Sequence, residues 1–463
     1  MDRKRRFFLA FMFVFCLIPA LTVWADDEKS GPGPGGRRAD ASPFWRDAAF
    51  KASWHYFQRY RDRYDLNTDH FETNLSHASS LLALDFESGF LAGRLGLDFG
   101  VFGGYDFYNE GDPHHEMNFF PDRDPWQPDW SKKKAKNAAS VYKAAVKFKA
   151  GPLWARAGYF QPSGPGVMGV NWSFLPGSYQ GAEAGLNLGR LALALTWANQ
   201  YKAPWFNEVY KFKKNDGQTD VSQLWSFGAR YELNEALSLE AAYGESEHYL
   251  WNAHFKAKYA LPQGGDRLYL TWQTYLMDDL DNPAGTGNDN FSSTALQQYL
   301  AARYDRGPWS FNLDFTYTRA PNKNPENAGY FAYRLISRYG GANGAYEPWW
   351  DLRSDWNHHE EKAVFIKIGR SLDDLGLTGV RAAVSGAHGW GGQARDYPAR
   401  LKETAFGLDL SYAVPEGFLK GAVFALHFTN YDNRTGLPSW NGFLNAFQDE
   451  HDLKFSMTIP LTK

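Results

Sequence analysis

Hydrophobic and polar residues alternate with a period of two over most of the chain beyond Phe44. Segment 224–245 shows the pattern most clearly, with apolar side chains at every second position of two runs that residues 234–235 separate. Successive side chains of a β-strand point to opposite faces of a sheet, so each run predicts a strand with one apolar and one polar face. Each predicted strand has about 9–10 residues, which is enough to cross a bilayer at a tilt.

The connections between the predicted strands form a short class and a long class. Short turns occur at 151–152, 234–235 and 307–308, and long connections occur at 104–138, 161–180, 277–294 and 321–363. A soluble β-sandwich would turn the apolar faces of such strands inward, whereas a membrane barrel turns them outward to lipid. The two classes of connection and the aromatic residues at strand ends favour the barrel. We therefore predict an all-β fold, a transmembrane antiparallel β-barrel.

The amino-acid composition also favours a membrane barrel over a soluble domain. The mean hydropathy is −0.52, and no segment beyond residue 25 has the roughly 20 consecutive apolar residues of a transmembrane helix. Aromatic residues nevertheless make up 17% of the chain, including 18 Trp. Barrels place aromatic residues in girdles at both membrane interfaces, so this combination is typical of them.

The N-terminal region has the features of a secretory signal peptide. A basic stretch at residues 1–6 precedes an apolar run at 7–21, and small residues at the expected cleavage positions end at Ala25. An uncleaved membrane anchor is the alternative. We predict export to the bacterial outer membrane.

This prediction divides the chain into three segments. Residues 1–25 form the signal peptide, residues 26–43 are rich in Gly and Pro and form a flexible leader, and residues 44–463 form the barrel. Cleavage would remove Cys16, the only cysteine of the sequence, and would change the formal net charge from −3 to −6. The remaining chain has no thiol and no basic excess, so neither a thiolate metal site nor nucleic-acid binding is expected.

The polar faces of the predicted strands supply the lining of a channel. When the apolar side chains of a barrel face lipid, the alternate side chains face the interior. The basic residues on these inward faces are Arg94, Lys147, Lys149, Arg156, Arg230, Arg303, Lys367 and Arg381. Acidic residues on the same faces are nearly as numerous, so we expect a mixed lumen with modest ion preference. A shift of one residue in strand register would reverse these assignments.

The connection at 161–180 contains more apolar residues than a freely solvated loop needs. Its aromatic members are Trp172, Phe174 and Tyr179. We expect this loop to fold into the barrel and to narrow the pore, and packing on the barrel rim is the alternative.

Segment 346–365 interleaves tryptophans with charged residues. The candidate substrate-binding residues in it are Trp349, Trp350, Asp351, Arg353 and Asp355. Aromatic faces beside bidentate polar groups suit pyranose rings, which offer C–H faces and a rim of hydroxyls. Tryptophan at a barrel rim is equally typical of a membrane anchor, so both interpretations stay open for each Trp.

Motifs for catalysis and for metal binding are weak. His114–His115 and His358–His359 are adjacent pairs in predicted loops, and no spacing of Asp, Glu or His around them completes a metal site. We interpret them as surface pairs. The sequence has no G-x-S-x-G motif and no convincing Ser/His pairing. We therefore predict a non-enzymatic channel without a cofactor, with a barrel hydrolase and a receptor or adhesin as other classes.

Eight longer segments, spread from about residue 50 to the C-terminal region, carry a resemblance to known proteins. They are TNLSHASSLLALDFESGF (73–90), VYKAAVKFKAGPLWARAGYFQPSG (141–164), WSFLPGSYQGAEAG (172–185), ANQYKAPW (198–205), WWDLRSDWN (349–357), EKAVF (361–365), LHFTNYDNRTGLPSW (426–440) and FQDEHDLKF (447–455). These segments resemble the OprD-like outer-membrane porins, and within that family they resemble the chitoporin branch.

The resemblance implies an eighteen-stranded, monomeric barrel that is surrounded by outer-membrane lipid and inserted by the barrel assembly machinery. It also implies that the connection 161–180 and the region 330–360 fold inward and form a constriction, where basic residues face acidic ones. The chitoporin branch implies passive uptake of a small oligosaccharide, a chitooligosaccharide such as chitobiose. An OprD-like porin for carboxylates, basic amino acids or peptides is the alternative within the family.

Overall fold

The computed structural model describes residues 42–65, 69–72, 76–109, 138–169, 177–202, 209–214, 218–280, 290–321, 329–331, 334–336, 345–394, 397–435 and 448–462. These residues contain one short α-helix, α1 (Pro43–Arg46), a 3-10 turn (Asp373–Leu375) and 21 strands. No helix among them has the length and the hydrophobicity that spanning a membrane requires.

The strands follow one another with few other elements between them. In chain order they are β1 (Ala49–Asp65), β2 (His70–Glu72), β3 (His77–Glu87), β4 (Leu95–Asn109), β5 (Ala138–Ala150), β6 (Leu153–Phe160), β7 (Ser178–Leu188), β8 (Leu191–Lys202), β9 (Tyr210–Lys213), β10 (Asp220–Val221), β11 (Leu224–Glu232), β12 (Leu237–Ser246), β13 (Leu250–Gln263), β14 (Asp266–Asp279), β15 (Ala295–Arg306), β16 (Trp309–Arg319), β17 (Lys362–Ser371), β18 (Val380–Ala394), β19 (Tyr397–Ala413), β20 (Val423–Asn433) and β21 (Glu450–Pro460).

Antiparallel pairing joins the long strands into one closed barrel. The strands from β3 to β8 and from β11 to β21 pair in chain order, and β8 pairs with β11. β1 pairs with β3 on one side and with β21 on the other, where Tyr56 lies opposite Met457. Of the short strands, β2 pairs with the end of β1, β9 pairs with the end of β8, and β10 pairs with β9. Within the described residues, the barrel therefore has 18 strands, and the predicted fold is confirmed.

The two ends of the barrel carry connections of different length. At one end, β5 turns into β6 and β15 turns into β16 through two residues each. Gly151 and Gly307 open these turns with φ values of +56° and +53°, a region that residues with a Cβ rarely adopt. Long connections occupy the opposite end, between β6 and β7 and between β16 and β17. Short turns at one end and long loops at the other are the rule for membrane barrels.

Adjacent residues of β5 show how the sequence alternation maps onto the wall. Val146 is 55% exposed on the outer face, where Leu195, Leu300 and Leu313 of other strands are exposed as well. Lys147 points inward, and its Nζ lies 2.6 Å from Asp98 Oδ1. An outer surface this rich in exposed leucine suits lipid and would be unfavourable in water. Strand β5 therefore has the apolar outer face and the polar inner face that the sequence predicts.

The buried residues lie mainly inside the barrel. One cluster joins residues 167–168 to the inner faces of β7, β8, β13 and β14, and a second joins the segment 350–356 to β17, β18, β19 and β20. The core is thus formed by connections that fold back into the lumen, and these connections reduce the space through which a solute can pass.

Candidate constriction site

Residues 161–169, which we call the first inner loop, cross the interior of the barrel. The Val167 N–H donates a 2.8 Å hydrogen bond to Ser226 Oγ on β11. A Cβ on Gly228 would lie 2.4 Å from the backbone carbonyl of Pro165. The wall therefore lacks a side chain at the point where the loop passes, and the loop lies directly on the backbone of the strand.

Glu183 of β7 fixes the beginning of the first inner loop. Its carboxylate is buried, and Oε1 accepts hydrogen bonds from the backbone N–H groups of Ser163 (3.0 Å) and Gly164 (2.9 Å). The Arg156 Nε donates to Oε2 at 2.8 Å. A buried carboxylate is stable only with partners of this kind, so Arg156 and Glu183 together set the position of the loop.

Residues 345–361, the second inner loop, also fold into the barrel and meet the first inner loop. The Ala345 N–H donates a 3.1 Å hydrogen bond to the Val167 carbonyl oxygen. Lys256 of β13 donates to the Ala345 carbonyl oxygen at 2.6 Å. The two loops and the wall therefore meet at one level of the lumen, which is the candidate constriction.

Glu347 of the second inner loop is surrounded by donors from the wall. Its carboxylate lies 2.9 Å from Lys256 Nζ and 2.7 Å from Lys258 Nζ, and it accepts a 2.7 Å hydrogen bond from Gln273 Nε2. Burial raises the pKa of this carboxyl, but the two lysines lower it by more, so the pKa lies below the ordinary value. Glu347 therefore stays ionised and holds the loop to β13 and β14.

The tryptophans of the second inner loop lie in different environments. Trp350 is buried, stacks parallel to Phe365 with ring centroids 5.2 Å apart, and donates its Nε1–H to Asp314 at 3.0 Å. Trp356 is buried as well, whereas Trp349 is 45% exposed. Trp350 and Trp356 therefore anchor the loop to the wall, and Trp349 is the most exposed of the three.

Charged side chains connect the second inner loop to β17, β19, β20 and β21 through a continuous network. Lys367 Nζ lies 2.8 Å from Asp409 Oδ2, and Asp409 Oδ1 lies 2.7 Å from His427 Nδ1. His427 Nε2 lies 2.9 Å from the backbone oxygen of Asp351. The Asp351 carboxylate forms an ion pair with Lys454 of β21. Asp351 is thus the point at which the loop enters the network.

The network continues where β21 and β1 close the barrel. Arg59 and Asp452 form a buried ion pair. Glu450 lies 2.8 Å from Arg63 and, on the side of the loop, 2.7 Å from Arg353 Nε. Loss of one partner of a buried ion pair leaves an uncompensated charge, so each pair resists displacement of either partner. Arg353 is the second point at which the loop enters the network.

The second inner loop has a strained backbone. Four of its non-glycine residues have positive φ, namely Asp351 (+53°), Arg353 (+79°), Trp356 (+53°) and Glu360 (+60°). Such conformations cost on the order of 1–3 kcal/mol each and persist only when the surroundings impose them. The contacts with the wall therefore determine this conformation.

His358, Glu361 and Glu403 lie side by side and are fully buried. His358 Nδ1 lies 3.1 Å from Glu361 Oε2, and ligand-type atoms of the three residues lie within 4.8 Å of one another. Burial raises the pKa of Glu361 to about 7. The interpretation of His358–His359 as a surface pair is therefore wrong for His358. In the described part of the chain, these three residues form one buried polar cluster at the end of the second inner loop.

The other residues predicted to narrow the pore do not form a common cluster with Trp349 in the described part of the chain. Tyr179 is buried at the beginning of β7, and Asp355 is half-buried in the second inner loop. Trp172 and Phe174 lie outside the described residues.

The basic residues predicted to line the lumen occupy several kinds of position. Arg94 lies in the turn before β4, because the chain reverses at residues 91–94 and the strand begins one residue later. Lys149 lies over the Phe90 ring, with Nζ 4.0 Å from the centroid, and Arg381 lies near the beginning of β18. The others form ion pairs: Lys147 with Asp98, Arg156 with Glu183, Arg230 with Glu240, Arg303 with Asp305, and Lys367 with Asp409.

Most of the residues that hold the inner loops were not among the candidates predicted from the sequence. They are Arg59, Arg61, Arg63, Glu183, Glu347, Glu361, Glu403, Glu450 and Asp452. For β1 a signal was available, because the segment RYRDR (59–63) places arginine at every second position and so on one face. No local pattern indicates Glu347 or Glu361, because their partners lie on distant strands.

Comparison with known proteins finds relatives along nearly the whole chain. A family model described as outer membrane porin, OprD family, matches residues 42–453. The chitoporin of Escherichia coli (strain K12) is 38% identical over 445 residues, which cover 92% of this chain and 93% of that protein.

Solved structures share the architecture at lower identity. Acinetobacter baumannii OccAB1 has a TM-score of 0.74 at 17% identity and covers 92% of this chain and 99% of its own. Pseudomonas aeruginosa OccK1 (OpdK) has a TM-score of 0.71 at 17% identity and covers 90% of this chain and 99% of its own. Similarity at this level of identity shows the barrel fold alone.

Proposed function

Since the chain belongs to the OprD family of outer membrane porins, we propose that it is a diffusion channel for the uptake of chitooligosaccharides such as chitobiose. The location in the outer membrane and the channel architecture follow from the family. The observation that carries the substrate is the 38% identity to the Escherichia coli chitoporin over 92% of the chain.

The environment of Trp349 supports a sugar as the substrate. The side chains of Glu347 and Asp351, two positions away on either side, are 38% and 42% exposed, and Trp349 itself is 45% exposed. A pyranose ring can stack its C–H face on an indole while its hydroxyl and amide groups donate to neighbouring carboxylates. We assign Trp349 as the stacking surface of the constriction and the two carboxylates as its polar neighbours.

The charge distribution of the lumen favours a neutral solute over an ion. The predicted lining residues Lys147, Arg156 and Lys367 each lie within 3 Å of a carboxylate oxygen. A cation that is neutralised by a neighbour contributes little to the attraction of an anionic solute. This pairing argues against the alternative of a porin for carboxylates or basic amino acids.

We further propose that transport is downhill, non-enzymatic and independent of a cofactor. In this proposal residues 1–25 direct export, residues 26–43 form the leader, and residues 44–463 form a monomeric barrel that the barrel assembly machinery inserts into outer-membrane lipid.

Single-channel recording tests the substrate. The purified full barrel is inserted into a planar bilayer, and chitobiose or chitohexaose is added, with maltohexaose as a control of equal chain length. We expect concentration-dependent interruptions of the current with the chitooligosaccharides and few with maltohexaose. Equal block by both hexasaccharides would refute the sugar assignment. Selective block by a carboxylate or a basic amino acid would support the alternative porin, and release of cleaved sugar would show an enzyme.

A further inference from the structure

Two buried carboxyl groups meet where the second inner loop joins the wall of the barrel. Glu361 is the last residue of the loop, Glu403 lies on β19, and neither is accessible to solvent. A carboxyl oxygen of Glu361 and one of Glu403 lie within 4.8 Å of each other. The contact therefore connects the end of the constriction loop directly to the wall.

The other hydrogen bonds of the pair leave one position for a shared proton. Ser354 Oγ donates to Glu403 at 2.7 Å, and the Tyr431 hydroxyl donates to the other oxygen of Glu403. The His358 N–H donates to Glu361 Oε2 at 3.0 Å. Glu361 Oε1 is buried and receives no donated hydrogen bond in the described part of the chain. A proton between the two carboxyl groups would satisfy this oxygen.

Close packing favours a proton over a metal ion at this position. A Cβ on Gly389 of β18 would lie 2.4 Å from Glu361 Oε1 and 3.1 Å from Glu403 Cγ. The two carboxyl groups thus occupy one small space that the missing side chain of Gly389 leaves open. Two buried carboxylates this close together cannot both ionise at low cost, and among the described residues no Lys or Arg pairs with either one.

We propose that Glu361 and Glu403 share a proton that pins the second inner loop to the wall, and that loss of this proton above neutral pH releases the loop and alters the constriction. The two carboxyl groups are positioning residues, since they act on a solute only through the loop. The inference relies on the proposed function only for the role of this loop in the pore.

The direction of the pH effect follows from the groups around the pair. His358 and Asp355 face Glu361 from the loop, Tyr431 faces Glu403 from β20, and Gly389 brings no charge from β18. The pKa of Glu361, raised by burial to about 7, lies above the ordinary value of 4.5. Stabilisation by the protonated pair is therefore complete below pH 4.5 and is lost as the pH rises through about 7.

Hydrogen exchange of the full-length barrel in detergent at pH 6 and pH 8 tests the proposal. After correction for intrinsic exchange, we expect protection of the amides at 345–361 to fall about tenfold in the wild type, because ionised pairs outnumber protonated ones about tenfold one unit above the pKa. Glu361→Gln keeps a permanent donor and should stay protected at both values. Glu361→Ala should lose protection at both, and Glu416→Gln, in an exposed turn, should behave as the wild type.

The open-channel current provides a second readout that needs no sugar. We expect the wild-type current to become noisier between pH 6 and pH 8 and the Glu361→Gln current to remain unchanged. A wild type without a pH response, or a Glu361→Gln variant with the same response as the wild type, would overturn the proposal. If the wild type binds Zn²⁺ one-to-one and Glu361→Gln abolishes this binding, a metal ion occupies the position and the proposed shared proton is refuted. Absence of current block by chitooligosaccharides would refute the proposed substrate, but it would not affect the pH response of the second inner loop.

Discussion

Lys256 on β13 and Glu347 in the second inner loop form an ion pair with an Nζ–Oε1 distance of 2.9 Å. The lysine side chain is buried in the wall, whereas the glutamate is partly exposed, so the pair lies at the boundary between the wall and the open lumen. Ninety-one positions separate the two residues along the chain. The width of the constriction therefore depends on contacts between distant segments.

Replacement of Glu347 should widen the pore. In Glu347→Ala, Lys256 and Lys258 lose the carboxylate that lies within 3 Å of both, and the loop loses its contact with β13. We expect a higher single-channel conductance and a chitohexaose block that is weaker by roughly threefold to tenfold. Glu235→Ala, in an exposed short turn, is the matched control, and an unchanged conductance in Glu347→Ala would contradict the role of the pair.

Acid should loosen the same contact. The pKa of Glu347 is lowered, so the stabilisation from its ionised form is present above the ordinary pKa of 4.5 and is lost as the pH falls through the lower, folded-state value. We expect a steady open-channel current from pH 6 to pH 5 and additional current noise below about pH 4. Glu347→Gln cannot titrate and should lack this acid-induced step. If the step persists in that variant, other carboxyl groups cause it.

Removal of the exposed indole should weaken sugar binding without unfolding the barrel. Trp349→Ala takes away the proposed stacking face, and we expect the chitohexaose dissociation constant from current block to rise about tenfold. Trp272→Ala on the outward face of β14 removes an exposed indole of similar size and should leave block unchanged. Equal effects of the two substitutions would argue against a contact between Trp349 and the sugar.

A side chain at position 228 should displace the first inner loop. The Cβ of Gly228→Ala would lie 2.4 Å from the Pro165 backbone, which cannot yield in the way that a flexible side chain does. We expect an altered conductance and lower thermal stability in a heat-modifiability assay. Gly103→Ala on β4 adds the same methyl group where no atom lies within 4 Å, and it should have neither effect.

The barrel could be predicted from the sequence because its signal is local. The alternation that places Val146 outward and Lys147 inward is a property of adjacent residues, and it repeats on strand after strand. The candidate site was predicted only in part. Asp351 and Arg353 were identified as candidates, but adjacent tryptophans in an irregular loop carry no periodic signal, and the sequence could not separate the exposed Trp349 from the buried Trp350.

The sequence by itself thus determined the all-β class and the inward and outward faces of the wall. The apolar residues of 161–180 indicated that this connection enters the lumen, whereas inward folding of the region 330–360 was implied only by the resemblance to the family. Tertiary structure alone decided which charges pair, that His358 lies buried beside Glu361, and that Glu361 meets Glu403. The physical reason is that strand faces follow from a two-residue repeat, whereas these contacts exist only after the barrel closes. Closure brings β1 against β21 and gives an irregular loop the wall on which its strained conformation depends.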